Sequence, residues 1–114
     1  MQVPSPQPTV DPPSFALEVA GDPPKATVRV IGELDMLTAP RLERELDLLC
    51  DRGYRQVDLD IVDLTFVAAA GLTVFARSDR RLRALPGRLR LVGPTPRCRR
   101  LLALTGLDAT LTIS

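Results

Sequence analysis

At 114 residues, with 45% hydrophobic and 25% charged side chains, the chain reads as one small domain of the water-soluble type, with apolar material for a single core. It contains no His, no Trp and two Cys, which excludes imidazole general bases and His-based metal sites and gives little support to stacking on nucleic-acid bases. The net charge of +1 hides a division, because residues 1–63 hold 12 acidic and 6 basic side chains and residues 64–114 hold 2 and 9.

That asymmetry predicts a dipolar surface, its basic part drawn from Arg77, Arg80, Arg81, Arg83, Arg97, Arg99 and Arg100. Such a run is either a set of solvated helix faces or a docking surface for an acidic partner.

Taken in order, residues 1–13 are rich in proline and poor in packable side chains. They are expected to be a disordered tail, with neither the basic start nor the apolar run of a secretion signal. No stretch approaches the roughly 20 apolar residues of a membrane span, and a cytoplasmic location is expected. Phe15, Leu17 and Val19 alternate as in a half-buried strand, Gly21 to Pro24 supply a turn, and Ala26, Val28 and Val30 continue in a second strand. An antiparallel hairpin follows from that spacing.

Gly32, Glu33, Leu34 and Asp35 are expected to break the second strand, with Thr38 capping a helix that has Pro40 in its first turn. Leu42, Leu46, Leu49 and Cys50 share one stripe of that helix, and Gly53 ends it. Val57, Leu59 and Ile61 alternate with Asp58 and Asp60, which predicts a strand with one face covered and one wet.

Polarity then drops from Phe66 to Gly71, and a helical pattern begins through Leu72, Phe75, Ala76 and Leu82, stopped by Pro86 and Gly87. Leu89, Leu91 and Val92 predict a short strand. Thr95 and Pro96 open a third helix with Leu101, Leu102 and Leu104 inward; Gly106 closes it, and Leu111 and Ile113 offer a last strand. The expected order β-β-α-β-α-β-α-β implies an α/β domain over residues 14–114, a mainly parallel mixed sheet with helices packed on one face.

The stretch Asp58–Leu82 is the expected working region, since a strand passing into a helix sets free N–H groups at the carboxyl edge of the sheet. Enzymatic machinery is not found there. Lys25 is far from any glycine loop, Thr73 and Ser78 have no His to activate them and read as solvent-facing or back-bonded hydroxyls, and Asp58 with Asp60 read as exposed carboxylates. Glu33 and Asp35 either bind something or shape a turn. Cys50 and Cys98 read as buried or incidental thiols, with a disulfide or redox role as the alternative.

Three motifs carry a resemblance. Gly32-Glu33-Leu34-Asp35 is followed by Thr38-Ala39; Asp63-Leu64-Thr65-Phe66-Val67 is followed by three alanines, Gly71 and Leu72; and Leu101–Leu107 reads LLALTGL. In this order and spacing they resemble the STAS domain family, in particular the bacterial anti-sigma factor antagonists, over roughly residues 14–114. The resemblance implies a STAS-like fold and no catalytic activity. It also implies binding to an anti-sigma factor of the ATP-binding kinase type, with release of a sigma factor.

In such antagonists the second motif reads aspartate, serine, serine or alanine, glycine, leucine. Carried over by position, the phosphoacceptor falls on Ala70, the preceding serine on Ala69 and the aspartate on Ala68, so the hydroxyl is lost while Gly71 and Leu72 remain. The partner-binding residues implied are Glu33, Leu34, Asp35, Ala68, Ala69, Ala70, Gly71, Leu72 and Thr73. The alternatives are a scaffold, a lipid-transporter accessory subunit, or a small-ligand or nucleotide-sensing module. No cofactor, metal, nucleic-acid or membrane-inserting role is expected.

Overall fold

Ten consecutive residues, Lys25–Leu34, form the strand on which the sheet is assembled. The computed structural model describes residues 14–114, so the expected tail lies outside the described residues. With the ten-residue strand as β2, the others are β1 (Phe15–Ala20), β3 (Gln56–Asp60), β4 (Leu64–Val67), β5 (Arg88–Val92) and β6 (Thr112–Ile113). The helices are α1 (Ala39–Asp51), α2 (Ala69–Ala84) and α3 (Pro96–Leu104), and a 3-10 turn covers Leu107–Ala109.

β1 is antiparallel to β2; β2 runs parallel to β3 and β4, β3 parallel to β5, and β5 parallel to β6. The mainly parallel mixed sheet is therefore as expected, but it has six strands where five were predicted. The extra strand arises because β3 and β4 share the ladder of β2. β3 pairs with Lys25–Arg29 and β4 with Gly32–Leu34. Between them Leu64 N–H donates to Ile61 C=O at 3.1 Å, Gly32 N–H donates to Asp63 C=O at 3.1 Å, and Arg29 grips the Asp63 carboxylate. β2 also continues through Glu33 and Leu34, two residues past the expected break at Gly32. Glu33 N–H is satisfied by Ser14 C=O at 2.7 Å.

One face of the sheet is covered. Ala26, Val28, Val30, Val57, Leu59, Leu89 and Leu91 are each at most 1% exposed, in agreement with the alternation of the sequence. Above them α1 buries Leu42, Leu46, Leu49 and Cys50, α2 buries Leu72, Phe75 and Leu82, and α3 buries Cys98 and Leu102. The other face carries Thr27, Arg29, Asp58 and Arg90, with Arg90 on Asp58 at 2.8 Å. Asp58 is thus partnered as well as partly exposed.

Two readings of side-chain direction need correction. Leu104 is 75% exposed, since the inward stripe of α3 runs through Cys98 and Leu102 and position 104 lies across the helix from 102. Ser78 is buried together with Asp79, so it does not face solvent. Thr95 caps α3 as expected, accepting from Cys98 N–H at 3.2 Å, and Gly106 closes it at φ +77°.

The charge asymmetry is partly consumed inside the fold. Arg77 of α2 pairs with Glu43 of α1 at 2.9 Å, and Arg81 pairs with Asp47 at 2.6 Å and Asp51 at 2.9 Å. One-turn spacing on each helix sets the carboxylates opposite the guanidinium groups. Exposed pairs of this kind contribute roughly 0–1 kcal/mol each, so the ladder fixes the register of α1 on α2 more than it holds the fold. Among the described residues Arg80, Arg97, Arg99 and Arg100 make no ion pair.

Gly71 sets the distance between α2 and the sheet. Its backbone is ordinary helix, so its conformational freedom is not what the position uses. A Cβ there would lie 2.6 Å from Leu34 Cδ2 and 2.9 Å from Val67 Cγ2. Leu34 is fully buried and Val67 nearly so, which leaves neither room to retreat. Gly71→Ala gains up to about 1 kcal/mol of helix propensity but meets an overpacking cost of about 1–3 kcal/mol. The expected outcome is a net loss of stability, read as a lower denaturant midpoint with an unchanged slope.

Candidate docking site

β2 and β4 end side by side, Leu34 opposite Val67, and the turn after each emerges at the same edge of the sheet. The first turn is closed by two side chains. The Asp35 carboxylate accepts the N–H groups of Leu37 at 2.9 Å and Thr38 at 3.0 Å. The Thr38 hydroxyl accepts Asp35 N–H at 2.9 Å and donates to Glu33 C=O at 2.7 Å.

Thr38 therefore does not cap α1 by accepting a helical N–H, as expected from its position. It ties the turn back to β2, while the Asp35 carboxylate accepts from the two N–H groups ahead of the helix. Fixed in this way, the turn holds Met36 and Leu37 out in water, 76% and 82% exposed. The backbone N–H of Thr38 chiefly, and that of Leu37, favour the ionised carboxylate and hold Asp35 below its ordinary value of 3.8.

The second loop is a single residue. Ala68 is extended (φ −99°, ψ 174°), donates its N–H to Leu34 C=O at 2.9 Å, and is followed directly by α2. Ala68 stands at the cap position of this helix with no side chain to accept an N–H, so the positive end of the helix dipole meets a surface of methyl groups. Ala69 is exposed, whereas Ala70 is half-buried and packs on the core. Thr73 is exposed with its hydroxyl returned to Ala69 C=O at 3.1 Å.

The structure thus brings the two expected loops together and sorts their residues. Glu33, Asp35, Ala68, Ala69, Ala70 and Thr73 reach the surface in whole or part, while Leu34, Gly71 and Leu72 lie beneath it and shape it. Sequence reasoning missed Met36, Leu37 and Phe66, the last 44% exposed on β4. A signal existed for the first two: large apolar residues between a turn-forming Asp and Thr have no core to enter.

Elsewhere, Cys50 and Cys98 are free and buried, and burial pushes both thiols up, which disfavours the reactive thiolate. Among the described residues no group of three or more Cys, Asp or Glu could hold a metal ion. No described helix is long and apolar enough to cross a membrane.

Two measurements check the turn. Thr38→Val keeps the shape but leaves Asp35 N–H and Glu33 C=O without their partner, and is expected to cost about 1–3 kcal/mol in denaturant unfolding. Because the Asp35 carboxyl is lowered in the folded state, the stability it contributes is complete above its ordinary value of 3.8 and is lost as pH falls through its lower folded value. Asp35→Asn is expected to be less stable than the parent at neutral pH and to lose stability less steeply below pH 3.8.

Residues 17–113 match the family described as "Mlab, STAS domain". The anti-sigma-B factor antagonist of Staphylococcus aureus (strain NCTC 8325 / PS 47) is 31% identical over 80 residues, covering 70% of this chain and 74% of that protein. The crystal structure of an anti-sigma factor antagonist from Mycobacterium paratuberculosis superposes with a TM-score of 0.80 at 28% identity, over 91% of this chain and 89% of the other. The anti-sigma factor antagonist SpoIIAA in its unphosphorylated form gives a TM-score of 0.75 at 22% identity, over 88% and 87%, a likeness of fold. The six-stranded sheet, the three helices and this sequence match together make the chain a member of the STAS domain family, related to the anti-sigma factor antagonists.

Proposed function

We propose that this protein is a non-enzymatic cytoplasmic regulator that docks on an anti-sigma factor of the ATP-binding kinase type and thereby releases a sigma factor. Docking uses the edge formed by the β2–α1 turn and the start of α2. The observation that carries this reading is the pairing of a rigid, apolar turn tip, Met36 and Leu37, with a helix start whose first residues are alanines. Relatives and neighbours that are antagonists of anti-sigma factors support it.

The absence of any hydroxyl at positions 68–70 gives the reading its particular form. A phosphate at a helix start gains from the dipole and adds close to two negative charges to a docking surface. With alanines there, that change cannot occur at the usual position, and the antagonist stays in its binding state. The same absence favours a second reading, an accessory STAS subunit of a lipid transporter, because such a role needs a docking edge and no switch.

Capture of partners from native extract on the immobilised chain, followed by incubation with ATP, separates the readings. Recovery of a kinase-type anti-sigma factor that leaves the chain unmodified is the expected result; phosphate on exposed Thr65 or Thr73 would show that the acceptor has moved. Permease and ATPase subunits in its place would sink the sigma-factor reading. Ala70→Asp and Ala69→Asp are each expected to weaken capture at least tenfold. For Ala69→Asp thermal stability should not fall, since Ala69 is exposed and an acidic side chain in the first turn suits the helix dipole.

A further inference from the structure

A groove runs along α2 away from this edge. One wall is α2 itself through Ala69, Thr73, Ala76 and Arg80, and the other is the chain after α3, through Thr105, Leu107 and Thr110. It consists of two adjoining hollows of about 450 and 540 Å³ that share Ala76, Arg80 and Leu107. Positions 69, 73 and 76 fall on one helix face and carry nothing larger than threonine, so another backbone can come close. From Ala69 to Arg83 the groove follows roughly 20 Å of helix, which suits a partner helix of about three to four turns.

The charges select the occupant. Four ionisable side chains line the groove: Arg77, Asp79, Arg80 and Arg83. Arg77 is held by Glu43, and Arg83 is held by Asp79 at 3.0 Å. Arg80, which belongs to both hollows, has no ion pair or hydrogen bond among the described residues. A purely apolar occupant would desolvate this guanidinium without compensation, and a basic one would be repelled. A carboxylate would form a charge-assisted pair with it, and exposed Arg97, Arg99 and Arg100 of α3 add attraction at longer range.

We propose that this groove receives an acidic amphipathic helix of the protein's partner, small apolar side chains on the α2 floor and a carboxylate on Arg80. The proposal rests on the docking reading above, since the groove opens at Ala69 beside the proposed edge, and it names the chemistry of what docks there.

The test uses the full chain with a photoreactive benzoylphenylalanine in place of Thr105 in the groove wall or, separately, of Leu37 in the turn. Each is irradiated in native extract and the joined peptide sequenced. The expected result is one partner from both positions, attached at Thr105 through a segment of helical, acidic sequence. Arg80→Glu should lower retention of the purified partner at least tenfold with its unfolding midpoint unchanged, while Arg88→Glu, exposed on the uncovered sheet face, should retain it fully.

Capture through Leu37 without capture through Thr105, attachment through a segment lacking carboxylates, or an Arg80→Glu variant that binds normally would each overturn the groove proposal and leave the docking reading in place. Attachment of Thr105 to residues 1–13 of this chain or to a second copy would also overturn it. No partner from either position would remove both.

Discussion

The close approach of α2 to the paired ends of β2 and β4 is the constraint from which the rest of the molecule follows. With a bare Cα at Gly71, the helix rests directly on Leu34 and Val67. That contact fixes where Ala68 turns, and Ala68 in turn returns its N–H to Leu34 C=O. The helix start and the β2–α1 turn are thereby locked to one pair of strands, and the surface they make has no slack between its halves. Farther along α2, the arginines that face α1 complete the same positioning by setting the rotation of one helix against the other.

Functional consequences come from what this rigid frame displays. Loops that bind usually combine polar groups with some freedom; this one is closed by its own Asp35 and Thr38 and offers methionine and leucine to the solvent. Holding large apolar groups in water is unfavourable, and the proposed docking would recover that cost by covering them. The helix beside it has given up the polar cap that most helices carry. Both features lose stability in the free protein, a cost that the proposed docking would offset by the contact area gained.

Much of this was legible in the sequence, for physical reasons that can be named. Strict alternation in Ala26–Val30 and Val57–Leu59 reflects a sheet covered on one face, and the helical stripe Leu42, Leu46, Leu49 reflects a single buried side. β4 was hidden because the register shifts between Gly32 and Glu33, so Leu64 and Val67 are buried while Thr65 and Phe66 between them are exposed. No period-2 pattern survives such an irregularity. Asp35 shapes the turn, one of the two readings its sequence allowed, whereas Thr38 was misassigned because a capping residue is recognised by position and this turn is closed by a reciprocal pair. The pairing of α2 arginines with α1 carboxylates joins residues 30 to 34 positions apart, and only the packing of the helices brings them together.

The start of β1 bears on how the protein can be handled. Ser14 C=O receives the N–H of Glu33, so Ser14 itself lies at the rim that carries the exposed turn. A bulky fusion partner joined directly to Ser14, in place of residues 1–13, would sit as a bumper beside Met36 and Leu37 and crowd whatever approaches them. For display on a surface or linkage to a reporter, attachment through a side chain on the uncovered sheet face, at Thr27 or Arg88, keeps the rim clear.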